Sequence, residues 1–187
     1  MASVVQSIRG EFARYKALAE GAIAQLRDDQ LSASASIHDN SIAVIVWHLS
    51  GNFASRFTDF LTTDGEKPDR HRDEEFAGRQ VTRAELLERW ERGWRILFDT
   101  LDALDDQVLG RTVTIRTQPL LVHEALHRSL AHASYHVGQI VFIAKAACGE
   151  AWTTLSIPRG QSAAYNQNPG SETAAAHAER LKADPRR

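Results

Sequence analysis

Apolar residues return every three or four positions in four stretches of the chain, and that spacing predicts four amphipathic helices. The first runs from about Ser3 to Arg27, with Ile8, Phe12, Tyr15, Leu18, Ala22 and Leu26 on one stripe and Ser3 with Gln6 placed to cap its start. Polar and small residues from Asp28 to Asp39 interrupt the pattern. The second helix is expected from about Ser41 to Thr62, capped by Asn40 or Ser41, with Ile42, Ile45, Leu49, Phe53, Phe57 and Phe60 on its apolar side. The third has the clearest start, Thr82 and Glu85 as a capping box with Val81 and Leu86 as a hydrophobic staple, and it continues through Trp90, Trp94, Leu97 and Leu101 to about Leu104. Residues Thr112 to Arg116 alternate polar and apolar and predict a short extended piece. The fourth helix is expected from Pro119, a residue suited to a first turn, to Cys148, with Gly149 as its stop.

Four such helices imply an all-α fold, a four-helix bundle. The connection Thr63–Gln80 refines the topology, because it is charged, carries Gly65 and Pro68, and is long for a compact domain. The second helix spans roughly 30 Å at 1.5 Å per residue, and the connection can stretch to about 60 Å. It can therefore run back along the bundle and start the third helix parallel to the second, giving an up-down-down-up topology with a long crossover between helices 2 and 3. The sequence after Ala151 mixes Pro158, Gly160, Pro169 and Gly170 with small polar residues. One bundle domain over 1–168 and a mobile, at most weakly helical, C-terminal tail over 169–187 are expected.

Composition narrows the setting. Hydrophobic residues make up 43% of 187 and charged residues 25%, ordinary values for one globular domain. A formal net charge of -2 provides no basic field for a phosphate backbone, so nucleic acid is not an expected partner. No apolar run reaches the ~20 residues of a membrane span, and the N-terminal residues lack the order of an export signal, so no membrane association and a cytoplasmic location are expected. The single cysteine, Cys148, fits a reducing compartment and reads as a buried small hydrophobe. Trp90, Trp94 and Trp152 suit the core better than an interface, and a homodimer is the expected assembly.

Candidate chemistry lies in the eight histidines: His38, His48, His71, His123, His127, His132, His136 and His177. His132 and His136 are four apart on the fourth helix, a spacing that lets two imidazoles reach one metal ion. His123 and His127 share that spacing but lie on the opposite border of the helix, about 180° away, so the two pairs cannot share an ion. The wheel favours His132 and His136, which stand at the edge of the apolar face formed by Val122, Leu126, Ala133, Val137 and Ile140. His48 is the one histidine of the second helix, on a stripe with Asn52, Ser55 and Asp59 that reads either as the lining of a wet cavity or as a solvated face.

The segment Val46-Trp47-His48-Leu49-Ser50-Gly51-Asn52, followed by Leu130-Ala131-His132-Ala133-Ser134-Tyr135-His136-Val137-Gly138-Gln139-Ile140, resembles the DinB/YfiT-like superfamily of metalloenzymes. Within it, Phe60 to Pro68 and Leu155 to Gly160 look like a bacterial subfamily of unknown function, and the likeness covers about residues 3 to 168. The resemblance implies an up-down-down-up four-helix bundle and carries the superfamily's three metal-binding histidines onto His48, His132 and His136. Three neutral imidazoles leave a coordination sphere incomplete, so the reacting group would be a metal-bound water or a bound thiolate. The resemblance further implies one divalent ion (zinc or nickel, with iron also accommodated) and a small-molecule substrate, including a low-molecular-weight thiol. The expected function is a metal-dependent transferase of the thiol S-transferase type, or a hydrolase. The alternative is a non-catalytic metal-binding or interaction bundle.

Asn52, Ser129, Tyr135 and Gln139 are candidates to support the ligands or the substrate, and Arg159 could meet an anionic substrate or simply fix the tail. A ferritin-like di-iron centre is excluded, because Glu124-Ala125-Leu126-His127 is the one Glu-x-x-His motif and that architecture needs two.

Overall fold

The computed structural model describes residues 3–34, 36 and 39–183. Its elements in chain order are α1 (Val4–Ile23), α2 (Asp28–Leu31), α3 (Ile42–Phe57), α4 (Arg72–Glu75), α5 (Arg83–Asp102), β1 (Thr112–Ile115), β2 (Gln118–Leu121), α6 (Val122–Cys148), α7 (Ser162–Gln167) and α8 (Ala174–Lys182). The protein is mostly helical, with a single two-stranded sheet among the described residues. No described helix is long and apolar enough to cross a membrane.

The four long helices are those the periodicity predicts, and their starts follow capping chemistry. The hydroxyls of Ser3, Ser41 and Thr82 each accept a backbone N–H three residues on, and Glu85 accepts the Thr82 N–H at 2.8 Å to complete its box. Asp106, far along the chain, adds a second cap to α1 by accepting the N–H groups of Val4 and Val5 at 2.9 and 3.0 Å. The stripes of the four helices meet in one core, where Phe12 of α1, Phe53 of α3 and Trp94 of α5 contact edge to face or tilted at 4.8–6.4 Å between ring centres. Trp90 and Trp94 are buried, and Trp152 packs against the same core. Cys148 is half-buried rather than buried, its Sγ 3.4 Å from the Gln25 carbonyl.

Helix α1 ends at Ile23 rather than Arg27, and four further features differ from the sequence reading. Helix α3 ends at Phe57, not Thr62, because the backbone turns extended at Thr58 (ψ 125°) and then left-handed at Asp59 (φ 49°); Phe60 reaches the core from a turn. Helix α6 begins at Val122 rather than Pro119, which stands in β2 opposite Thr114. The expected extended piece is β1 of a hairpin whose two-residue turn, Arg116-Thr117, has both φ angles positive (53° and 64°). A turn of that type normally takes Asn or Gly. Here the Asp64 carboxylate accepts the N–H groups of Glu66, Thr117 and Arg116 at 2.7–2.8 Å, bonds that hold its pKa down at about 2 and clip the hairpin to the crossover. Finally, the tail expected to be mobile or only weakly helical carries a defined helix, α8, over residues 174–182. Ala178 and Leu181 of α8 are buried with Ala17 of α1.

Candidate metal centre

His48 sits in the middle of α3, and His132 and His136 lie one turn apart in α6. Packing of α3 against α6 brings the three together, with ring centres 4.6–5.1 Å apart. One ring nitrogen from each lies within 4.8 Å of the others, and His48 Nε2 is 3.1 Å from His132 Nε2. Two nitrogens bound to one ion at the usual ~2.0–2.1 Å are separated by about that distance. His48 and His136 are buried and His132 is half-buried.

The partners of these rings decide where their lone pairs point. His48 Nδ1 is 2.9 Å from Glu75 Oε2, and His136 Nδ1 is 2.7 Å from Gln139 Oε1. Both acceptors draw the proton to Nδ1, which leaves each Nε2 lone pair directed at the shared centre. His132 Nδ1 is buried without a hydrogen-bond partner. Burial, with the neighbouring histidines and arginines adding to it, pushes the His132 pKa down to about 3. Burial likewise pushes His136 down to about 4 despite the bond to Gln139. Both imidazoles are therefore neutral at neutral pH, the form a metal requires. The donor set and its spacing fit one divalent ion.

Glu75 was not singled out by the sequence, yet it is the most constrained acid of the region. It is 6% exposed in α4, on the crossover, and takes His48 on one side and a two-pronged Arg70 guanidinium on the other, both prongs at 2.8 Å. Burial alone would raise its pKa, but the hydrogen bonds from His48 and Arg70 outweigh that and hold it below the ordinary carboxylate range. A carboxylate behind a ligating histidine fixes the ring and increases its basicity. Gly51 makes room for it, since a Cβ there would lie 2.7 Å from Glu75 Cδ. Phe76 covers the His48 ring at 4.5 Å. The length and charge of the crossover were the available signal, because a long connection in a compact domain is commonly functional.

Of the supporting candidates, Gln139 touches His136, while Asn52 and Ser129 line a cavity beside His48 and His132. Along its stripe, half-buried Asn52 lines the cavity at the histidines, buried Ser55 lines a neighbouring one, and Asp59, past the end of α3, is exposed at that second cavity's rim. Tyr135 is 64% exposed, its ring edge-on to His136 at 5.0 Å. Arg159 is exposed and is not among the residues lining the cavity at the histidines. His123 and His127 stand apart from the trio, as their phase requires; His123 Nδ1 meets the Leu109 carbonyl at 3.0 Å. Glu124 accepts the Leu121 N–H at 2.8 Å and so caps α6. His177 Nε2 lies 3.0 Å from the Leu155 carbonyl, His71 is exposed, and His38 lies outside the described residues.

No match is found among curated proteins or among solved structures. A family model matches residues 1–161, which contain the crossover and all three histidines, and the chain belongs to that family, described as "Protein of unknown function (DUF1572)".

Proposed function

We propose that this protein binds one divalent metal ion through His48, His132 and His136 and uses it to act on a small molecule, as a transferase of the thiol S-transferase type or as a hydrolase. The observation that carries the reading is the convergence of three imidazoles from two helices on one point, backed by a buried carboxylate. A divalent ion held by three imidazoles supplies a Lewis acid with coordination positions to spare. The chain's own residues do the rest. Glu75 and Gln139 lock two of the rings, Phe76 shields His48 from water, and Asn52 and Ser129 offer polar contacts on the open side.

Zinc or nickel is the ion we favour, with iron next, since imidazole suits all three. Transfer to a low-molecular-weight thiol leads over hydrolysis because the histidine motifs resemble those of the DinB/YfiT-like superfamily and because a soft thiolate is a strong ligand for such ions. On the same footing we infer an up-down-down-up arrangement of α1, α3, α5 and α6. The crossover 58–82 comfortably exceeds the roughly 24 Å length of α3, which it must retrace. A cytoplasmic setting agrees with the lone cysteine. A homodimer would cover the exposed Tyr135 and Phe142 of α6.

Metal analysis of the purified protein beside a His132→Ala/His136→Ala variant tests the centre. One equivalent in the parent and none in the variant is expected. Metal retained by the variant, or none taken up by the parent from zinc or nickel, overturns it. Transfer assays with cellular thiols and hydrolysis assays on the loaded protein then separate the two reactions. No turnover in either leaves the ion a non-catalytic clasp between α3 and α6.

A further inference from the structure

The cavity beside the histidines has a volume of about 210 Å³. His48, His132 and Asn52 form part of its wall, and five arginines from five places in the chain form much of the rest: Arg56 of α3, Arg70 of the crossover, Arg72 of α4, Arg116 of the hairpin turn and Arg128 of α6. No carboxylate lines it. Two acids stand behind the arginines. Glu66 takes Arg56 at 3.0 Å and Arg116 at 2.9 Å, and Glu75 takes Arg70 at 2.8 Å. Arg72 lies over the Phe76 ring at 4.9 Å and has the fully exposed Asp73 as its nearest acid, at 3.9 Å, and Arg128 has no carboxylate within ion-pair distance among the described residues. Five guanidinium groups and no carboxylate in the wall make the cavity lining positive in a chain whose net charge is -2, with Glu75 buried and Glu66 half-buried behind it.

A second observation is independent of that charge count. The Arg70 side chain is 5% exposed, yet its Nη1 has no hydrogen-bond partner, its nearest acid being Glu66 Oε1 at 3.6 Å. A buried guanidinium N–H without an acceptor is costly, so the protein retains a donor that it does not itself satisfy.

We propose that this cavity binds the substrate of the candidate centre, and that the substrate is a small organic anion. Its carboxylate or phosphate oxygens are held by Arg72, Arg116 and Arg128 over Arg70, with its other end at the Nε2 atoms of His48 and His132. Guanidinium forks match the geometry of both oxyanions, and the cavity is smaller than the roughly 300 Å³ at which drug-sized pockets begin. The reaction rests on the metal reading above; the binding does not.

Calorimetric titration of succinate, of inorganic phosphate and of neutral succinamide into the metal-free and the zinc-loaded protein tests the proposal, beside an Arg72→Gln/Arg128→Gln variant. Binding of at least one anion to the metal-free protein is expected, with succinamide at least tenfold weaker than succinate. The variant should lose at least tenfold in anion affinity and still take up one zinc, and preference between the two anions names the head group. Equal affinity in the variant, succinamide binding as tightly as succinate, or anion binding that requires zinc and ignores the arginines overturns the pocket while leaving the metal centre standing. Arginine-dependent anion binding by a protein that takes up no zinc overturns the metal centre and leaves the pocket standing.

Discussion

Helix α6 carries two histidine pairs of identical spacing in contrasting surroundings. At His123 and His127 the ring centres are 6.2 Å apart, His127 is exposed, and His123 is occupied by the Leu109 carbonyl. At His132 and His136 the rings close to 4.6 Å, His136 is buried, and a third histidine arrives from α3. Spacing along a helix makes two rings available; the helix packed against them and the acceptors behind them turn availability into a candidate coordination site. The carboxylate at Glu75, absent from the first pair, is the largest single difference.

The sharpest way to break the comparison is to delete each pair. His132→Ala/His136→Ala should abolish zinc uptake, whereas His123→Ala/His127→Ala should leave one equivalent bound, as read by elemental analysis. Next in size is Glu75→Gln, which keeps the shape and removes the charge behind His48; zinc affinity should fall about 10- to 100-fold in a chelator competition. Gly51→Ala should follow, because its methyl group must displace the Glu75 carboxylate. About tenfold weaker zinc binding and about 1–2 kcal/mol less stability in urea are expected. Acid provides a gentler contrast. The His132 and His136 pKa values, about 3 and about 4, lie below the ordinary 6.5, so the unfolded chain binds more protons throughout that interval. Stability of the metal-free protein should therefore decline as pH falls from about 6.5 towards 4 and then 3. Urea midpoints at several pH values should show that part of the slope missing in His132→Ala/His136→Ala. The smallest effect belongs to His127→Ala alone, which should alter stability by no more than about 0.5 kcal/mol.

The long helices and their caps were legible because they depend on local rules: a stripe every three or four residues, and a hydroxyl three positions before a free N–H. The three metal-ligand candidates were legible through spacing and resemblance, and the structure brings them together. What escaped depends on distant chain. The Arg116-Thr117 turn contains neither Asn nor Gly, and its conformation is secured by Asp64, 52 residues earlier. Glu75 and Arg70 stand in a charged run that reads as solvated until α3 packs over it. Helix α8 has too narrow an apolar face to announce itself, and Ala178 and Leu181 are buried only because α1 lies opposite. The end of α3 was misplaced for the converse reason: Phe60 keeps the helical rhythm after the backbone has left the helix.

The Asp64 clip separates the path of the hairpin turn from the chemistry its side chains display. At the hairpin tip it accepts the main-chain N–H groups of Arg116 and Thr117, contacts that do not depend on which side chains those two positions display. Position 116 overhangs the histidines from a surface loop, outside the packed interior. A substitution at position 116 thus changes the cavity wall while the Asp64 contacts to the backbone beneath it stay in place.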